Sequence, residues 1–198
     1  MLFRSLFETC DTQTGACCVN GVCVAEQTLA QCLAAGGAWK RAQPCDAETC
    51  EPVPGDSCAR PIVVPLPNPY SYYDDASTQD HANDYCGTTC LGLDDGGRDR
   101  VYRLEVSAPV VLDLSVSSYS SLRPPLLVLS DVCPPAGNCL VVDWIARGVA
   151  LSPGVYYLMA DIRPRLVNGV WVDYSEFRVQ ITSRTGPPTP RPFRTNPE

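Results

Sequence analysis

Seven cysteines crowd the first fifty residues of this 198-residue chain, at Cys10, Cys17, Cys18, Cys23, Cys32, Cys45 and Cys50; five more follow at Cys58, Cys86, Cys90, Cys133 and Cys139. The total of twelve is even, no two stand in Cys-x-x-Cys spacing, and a single histidine, His81, is the only nitrogen ligand on offer. Zinc sites draw on close cysteine pairs or on cysteine with histidine, whereas an even set of scattered cysteines in a small module pairs with itself. All twelve are therefore expected in structural disulfides, formed in an oxidising, extracellular or cell-surface setting.

The front segment needs such staples. Beyond Val19, Val22, Leu29, Leu33 and Trp39 it has few large apolar residues, too few for a self-sufficient core. Composition then changes at Pro52-Val-Pro-Gly55, so three regions are expected: a cysteine-rich module over 1–54, a β-sandwich over 55–184 and a proline-rich extended tail over 185–198. Met1 to Phe7 is cut off by Glu8 before it reaches the length of a signal-peptide core, which favours a mature product or a piece of a longer exported precursor.

Charge narrows the partners. The net charge is −7 and Lys40 is the only lysine among fifteen cations, with no basic stripe. Nucleic acid is excluded as a partner on that ground, and membrane insertion is excluded because no apolar run approaches the ~20 residues a spanning helix needs.

Within the first module, Asn20-Gly21 between Val19 and Val22 is a type I′ hairpin signal. Residues 25 to 35 carry helical spacing, ended by Gly36-Gly37, and a return strand follows near Trp39. Six cysteines from Cys17 to Cys50 allow fifteen pairings. The neighbours Cys17 and Cys18 are expected to take different partners.

After Gly55 the period becomes two. Tyr102, Leu104 and Val106 alternate with polar neighbours, as do Val110, Leu112, Leu114 and Val116, and later Phe177, Val179 and Ile181. Leu126 to Leu129 and Leu140 to Val142 are unbroken apolar runs and read as central strands. Ser152-Pro-Gly154 is a turn between two further strands. Seven or eight short strands with proline-rich loops make the fold class mainly β, an antiparallel sandwich or jelly roll beside the small disulfide-rich module.

Two resemblances accompany this reading. The run Gly15-Ala-Cys-Cys, Cys23, Cys32, Gly36-Gly-Ala-Trp39, Cys45, Cys50 resembles a short cysteine-rich repeat of secreted bacterial proteins. The motifs Gly55-Asp-Ser-Cys58, Cys86, Cys90, Gly96-Gly-Arg-Asp-Arg-Val-Tyr-Arg-Leu104, Cys133, Cys139 and Leu151-Ser-Pro-Gly-Val-Tyr-Tyr-Leu158 are similar to the bacterial pre-peptidase C-terminal domain. That second resemblance implies a β-sandwich carried by exported proteins for binding, targeting or maturation rather than catalysis, with calcium in some of its loops.

Site chemistry is sparse. His81 sits in the polar stretch 77–85 and is expected at the surface; with no Gly-x-Ser-x-Gly elbow and no free cysteine, catalysis is not expected. Asp94, Asp95 and Asp99 lie in a glycine-containing loop and are the calcium candidates. Tyr70, Tyr72 and Tyr73 form an aromatic cluster suited to stacking on sugars or to a protein interface. Thr185, Thr189 and Thr195 beside prolines are candidate O-glycosylation positions. The function expected is a non-enzymatic extracellular structural or adhesive subunit that assembles head to tail with copies of itself or other surface proteins through its ends; the alternative is an accessory carbohydrate- or protein-binding module of a larger secreted hydrolase.

Overall fold

The computed structural model describes residues 14–41, 43–46, 49–50, 53–66, 69–81, 85, 89–91, 97–119, 124–136, 139–163, 165–167, 170–172 and 174–184. Cys10, Cys86, Asp94, Asp95, Thr185, Thr189 and Thr195, with the tail and the first thirteen residues, lie outside that set.

The chain opens as a hairpin. Strands β1 (Thr14–Val19) and β2 (Val22–Thr28) meet across Asn20 and Gly21, whose φ angles of 52° and 78° are the pair of left-handed residues a type I′ turn requires. Helix α1 spans only Leu29–Ala34, because residues 25–28 continue β2 instead of starting the helix. Thr28 and Gln31 set that start as a capping box: the Gln31 side-chain oxygen accepts from the Thr28 N–H at 2.9 Å, and Thr28 Oγ1 accepts from the Gln31 N–H at 3.2 Å. Gly36, at φ 68°, closes the helix, and the Gly37 N–H reaches back to the Cys32 carbonyl at 2.9 Å. Strand β3 (Ala38–Arg41) then pairs with β1, giving a three-stranded sheet in the order β2-β1-β3.

Its core is small: Cys17, Leu29, Cys32 and Trp39, with Val19 against them. Half of it is the Cys17–Cys32 disulfide itself. Cys18–Cys50 and Cys23–Cys45 are the other bridges among its described residues, so the adjacent cysteines do part company. Gly37 lies so close to the first bridge that an added Cβ would meet Cys17 Sγ at 2.5 Å.

Two larger sheets follow. One holds five strands in the order β4-β6-β11-β8-β9: β4 (Ile62–Leu66), β6 (Asp99–Val106), β8 (Leu126–Ser130), β9 (Val141–Asp143) and β11 (Gly154–Asp161). The other holds four in the order β10-β7-β14-β5: β5 (Tyr70–Ser77), β7 (Val110–Ser118), β10 (Ile145–Leu151) and β14 (Glu176–Arg184). A short ribbon, β12 (Arg165–Val167) with β13 (Val170–Val172), stands apart from both.

The alternating residues do what their period requires. Val64, Tyr102, Leu104, Leu127, Leu129 and Leu158 from the first sheet meet Leu112, Leu114, Phe177, Val179 and Ile181 from the second in one shared core. The architecture is thus mainly β, a sandwich with antiparallel pairing in all but one place: β4 runs parallel to β6. The turn Ser152-Pro-Gly154 carries the chain from one sheet to the other, since β10 and β11 belong to different sheets.

Two expectations are corrected. The strands outnumber the seven or eight counted, because β4 and β5 escape notice. Leu140 to Val142 is no central strand: among the described residues β9 is the outermost strand of its sheet, pairing with β8 alone. Only β8 of the two apolar runs is flanked on both sides, by β11 and β9.

On the outer side of the five-stranded sheet a second, minor core forms where Val101, Val128 and Met159 are covered by Tyr85, Leu91 and the cysteine-bearing loops. Cys58–Cys133 and Cys90–Cys139 fasten that cover. Among the described residues five disulfides hold ten cysteines, a density that suits an oxidising, extracellular setting. No helix among the described residues is long and apolar enough to cross a membrane.

Candidate functional site

The three tyrosines singled out in the sequence separate by strand alternation. Tyr70 and Tyr72 point inward and pack on the main core, with Tyr72 edge-on to Tyr102 at 6.3 Å between ring centres. Tyr73 alone faces out, 55 % exposed. The cluster therefore does not exist as a surface feature, but Tyr73 gains a companion that sequence proximity could not reveal: Tyr119, 56 % exposed, just past the end of β7.

Both rings stand on the outward face of the four-stranded sheet. Across that face Tyr73 lies opposite Gln180, which lies opposite Ser115, which lies opposite Ile145; in the next row Asp75 lies opposite Arg178 and Arg178 opposite Ser117. Arg178 grips Asp75 through two bonds, Nε to Oδ1 at 2.6 Å and Nη2 to Oδ2 at 2.8 Å, and its guanidinium sits 5.8 Å from the Tyr119 ring centre. The Tyr119 hydroxyl donates to the same carboxylate. Hydrogen bonds from Arg178 and then from Tyr119 hold the Asp75 carboxyl down to about 2. Asp113 is arranged likewise: burial pushes its carboxyl up, but the Gly148 N–H at 2.7 Å and Arg184 at 2.7 Å outweigh that and hold it low. The face is hydroxyl-rich, and its Asp75–Arg178 and Asp113–Arg184 pairs cancel in charge.

His81 is not the surface residue its polar neighbours suggest; it is 3 % exposed. Its Nε2 faces Arg100 Nη1 at 3.0 Å. A guanidinium has only donors, so Nε2 accepts and the ring proton resides on Nδ1, which is buried with no hydrogen-bond partner among the described residues. A histidine so engaged is a poor general base for a serine. Arg100 also donates from Nε to Asp74 at 2.9 Å and to the Tyr102 hydroxyl at 3.2 Å, and that hydroxyl donates to Asp74 at 2.8 Å. Burial, followed by the nearby Asp74 charge, keeps the Tyr102 phenol well above its ordinary range.

Burial is also the main reason the His81 imidazole is lowered from 6.5 to about 4; Asp56 and Asp80 oppose that shift, while Arg100 and Lys40 add to it. The unfolded chain therefore binds a proton near pH 6.5 that the folded chain refuses until about pH 4. Stability from this group is complete above pH 6.5 and is lost as pH falls towards 4, by about 3 kcal/mol in all. Denaturation midpoints measured from pH 7 to pH 4 should fall more steeply for the wild type than for His81→Phe; parallel curves would contradict this.

Lys40 and Asp56 form an ion pair close by, and both are buried. Lys40 comes from β3 of the small sheet, whereas Asp56 precedes the first strand of the sandwich. The pair therefore joins the two parts of the chain in a place closed to water.

Of the calcium candidates only Asp99 is described, at the start of β6. It is fully buried and lies directly opposite Asp161 on β11, itself buried. Gly97 lets the chain enter this corner, since any Cβ there would collide with the Ile162 carbonyl.

Comparison with known proteins adds little. No family model matches the chain, and no curated protein matches it. Among solved structures it is similar to the pre-peptidase C-terminal domain of a collagenase from Bacillus anthracis, at 13 % identity and a TM-score of 0.33, covering 63 % of this chain and 98 % of that one.

Proposed function

We infer that this chain is a non-enzymatic interaction module of an exported protein, and that it adheres to a second copy of itself through the free edge at β9. The observation that carries the reading is a strip of large apolar side chains left in water there: Leu140, Val142, Trp144 and Ile145 are 52, 46, 42 and 52 % exposed. Val142 lies opposite Val128 on the outer side of one sheet, and Ile145 opposite Ser115 on the outer side of the other, so the strip wraps round the sandwich edge. Natural edge strands are blunted by outward charges. Here the edge is only three residues long and its one charge, exposed Asp143, accepts from the Trp144 N–H at 2.7 Å, so contact falls to the apolar side chains that flank it. Aromatic and aliphatic residues beside an open strand suit pairing with another strand.

Head-to-tail growth through the chain ends would build a structural or adhesive assembly on this edge. The alternative, an accessory module of a larger secreted hydrolase, uses the same surface against a different protein. Light scattering on oxidised protein over about a hundredfold range of concentration separates them. Mass that rises with concentration in the wild type and falls back to the monomer in Trp144→Glu supports self-adhesion. A constant monomer mass overturns it and leaves the accessory reading.

A further inference from the structure

We propose that the outward face of the four-stranded sheet is a binding platform for a neutral oligosaccharide, with Tyr73 and Tyr119 as its stacking rings. The two rings lie across the sheet from the apolar edge, which adjoins the platform at Ile145 beside Ser115, and the ligand follows from chemistry already described. Sugar rings offer two kinds of surface: patches of C–H that stack on aromatic faces, and hydroxyls that need flat arrays of donors and acceptors. The platform supplies both.

Tyr73 stands two residues before Asp75 on the same side of β5, and Tyr119 reaches Asp75 with its hydroxyl, so the two rings flank one polar row. Each ring is held at its rim, Tyr73 by the Gln180 amide at 3.4 Å and Tyr119 by Asp75. Tyrosines fixed in this way present a large amphipathic surface at low entropic cost. Between and beside them lie Gln180, Ser115 and Ser117, side chains suited to hydroxyl recognition.

Charge decides the class of sugar. Asp75 neutralises Arg178, and Asp113 neutralises Arg184, at 2.6 and 2.7 Å respectively. The other exposed charges on this face, Arg147 beside Asp113 and Glu176 beside Tyr119, are of opposite sign, so an anionic ligand finds two cations already paired and no net positive field. A neutral polyol loses nothing by leaving those pairs intact and can bond to their outer edges. Strand spacing of ~4.8 Å puts the Tyr73 and Ser115 positions about 10 Å apart, enough to seat more than one sugar ring.

The test is isothermal titration of the oxidised protein with cellohexaose, chitohexaose, xylohexaose and laminarihexaose, beside a heparin hexasaccharide. At least one neutral hexasaccharide should bind in roughly the micromolar to millimolar range, with Tyr73→Ala and Tyr119→Ala each weakening it about tenfold or more. Tyr119→Phe, which keeps the ring, should bind nearly as the wild type, and Trp144→Glu should bind unchanged. The proposal is overturned if no neutral hexasaccharide binds, if heparin alone binds, or if binding survives both alanine variants. Loss of binding in Trp144→Glu also overturns it, by placing the ligand on the edge instead. Because monomeric Trp144→Glu protein suffices for the titration, failure of the self-adhesion reading leaves this result standing, and the reverse holds too.

Discussion

Asp56→Ala should destabilise the protein by about 3–5 kcal/mol, the usual cost of stranding one partner of a buried ion pair. Lys40 is 4 % exposed, and its ammonium would lose its counter-charge without gaining water. Lys40→Met removes the charge and keeps the volume of the stem, so it should cost far less, and Lys40→Met with Asp56→Ala should recover most of the loss of Asp56→Ala alone. Urea denaturation of the three variants measures this. An Asp56→Ala protein within about 1 kcal/mol of the wild type would show that the pair is hydrated, and that the small sheet is not anchored through it.

Replacing Cys17 and Cys32 together by alanine should unfold the N-terminal sheet while the sandwich survives. The bridge spans 15 residues, a loop length for which chain entropy alone gives about 3 kcal/mol. Here the loss is compounded, because the two sulfurs are half of the buried cluster that includes Leu29 and Trp39. The Trp39 indole donates to the Gln27 carbonyl at 2.8 Å, which gives its N–H proton a distinct resonance. That resonance should vanish from the spectrum of the double variant while the methyl signals of Leu104, Leu114 and Ile181 stay in place. A Trp39 signal that persists unshifted would mean that the remaining two bridges suffice.

The places where sequence reasoning succeeded share one physical basis: local periodicity. Tyr102 to Val106, Val110 to Val116 and Phe177 to Ile181 alternate because each strand has one wet and one dry face, and that signal needs no knowledge of partners. Asn20-Gly21 and Gly36-Gly37 likewise announce their turns through backbone conformations that few other residues adopt. Where the reading failed, the deciding contact was distant. An apolar run such as Leu140 to Val142 looks alike in the middle of a sheet and at its rim, and the difference lies in which strands arrive beside it. His81 sits among polar neighbours, yet Arg100, nineteen positions on, holds its ring in a dry junction.

The tyrosines show how a period-two pattern can be overlooked when residue type is counted instead of position. Tyr70 and Tyr72 share a face, and Tyr73 belongs to the other, as strict alternation requires. Tyr119 could not have been added from sequence, because its link to Asp75 spans 44 positions. The same holds for Asp99 and Asp161, which meet only through the pairing of β6 with β11. In each case the chemistry-bearing residues were visible and their companions were not.

The most direct test of self-adhesion is amide hydrogen exchange along residues 140–145 at low and high protein concentration. If β9 pairs with a second copy, its outward-facing amides should exchange more slowly as concentration rises, in step with the increase in mass, and this protection should be absent in Trp144→Glu. Exchange at β9 that stays equally fast while the mass grows would contradict the account, because the copies would then be meeting through some other surface.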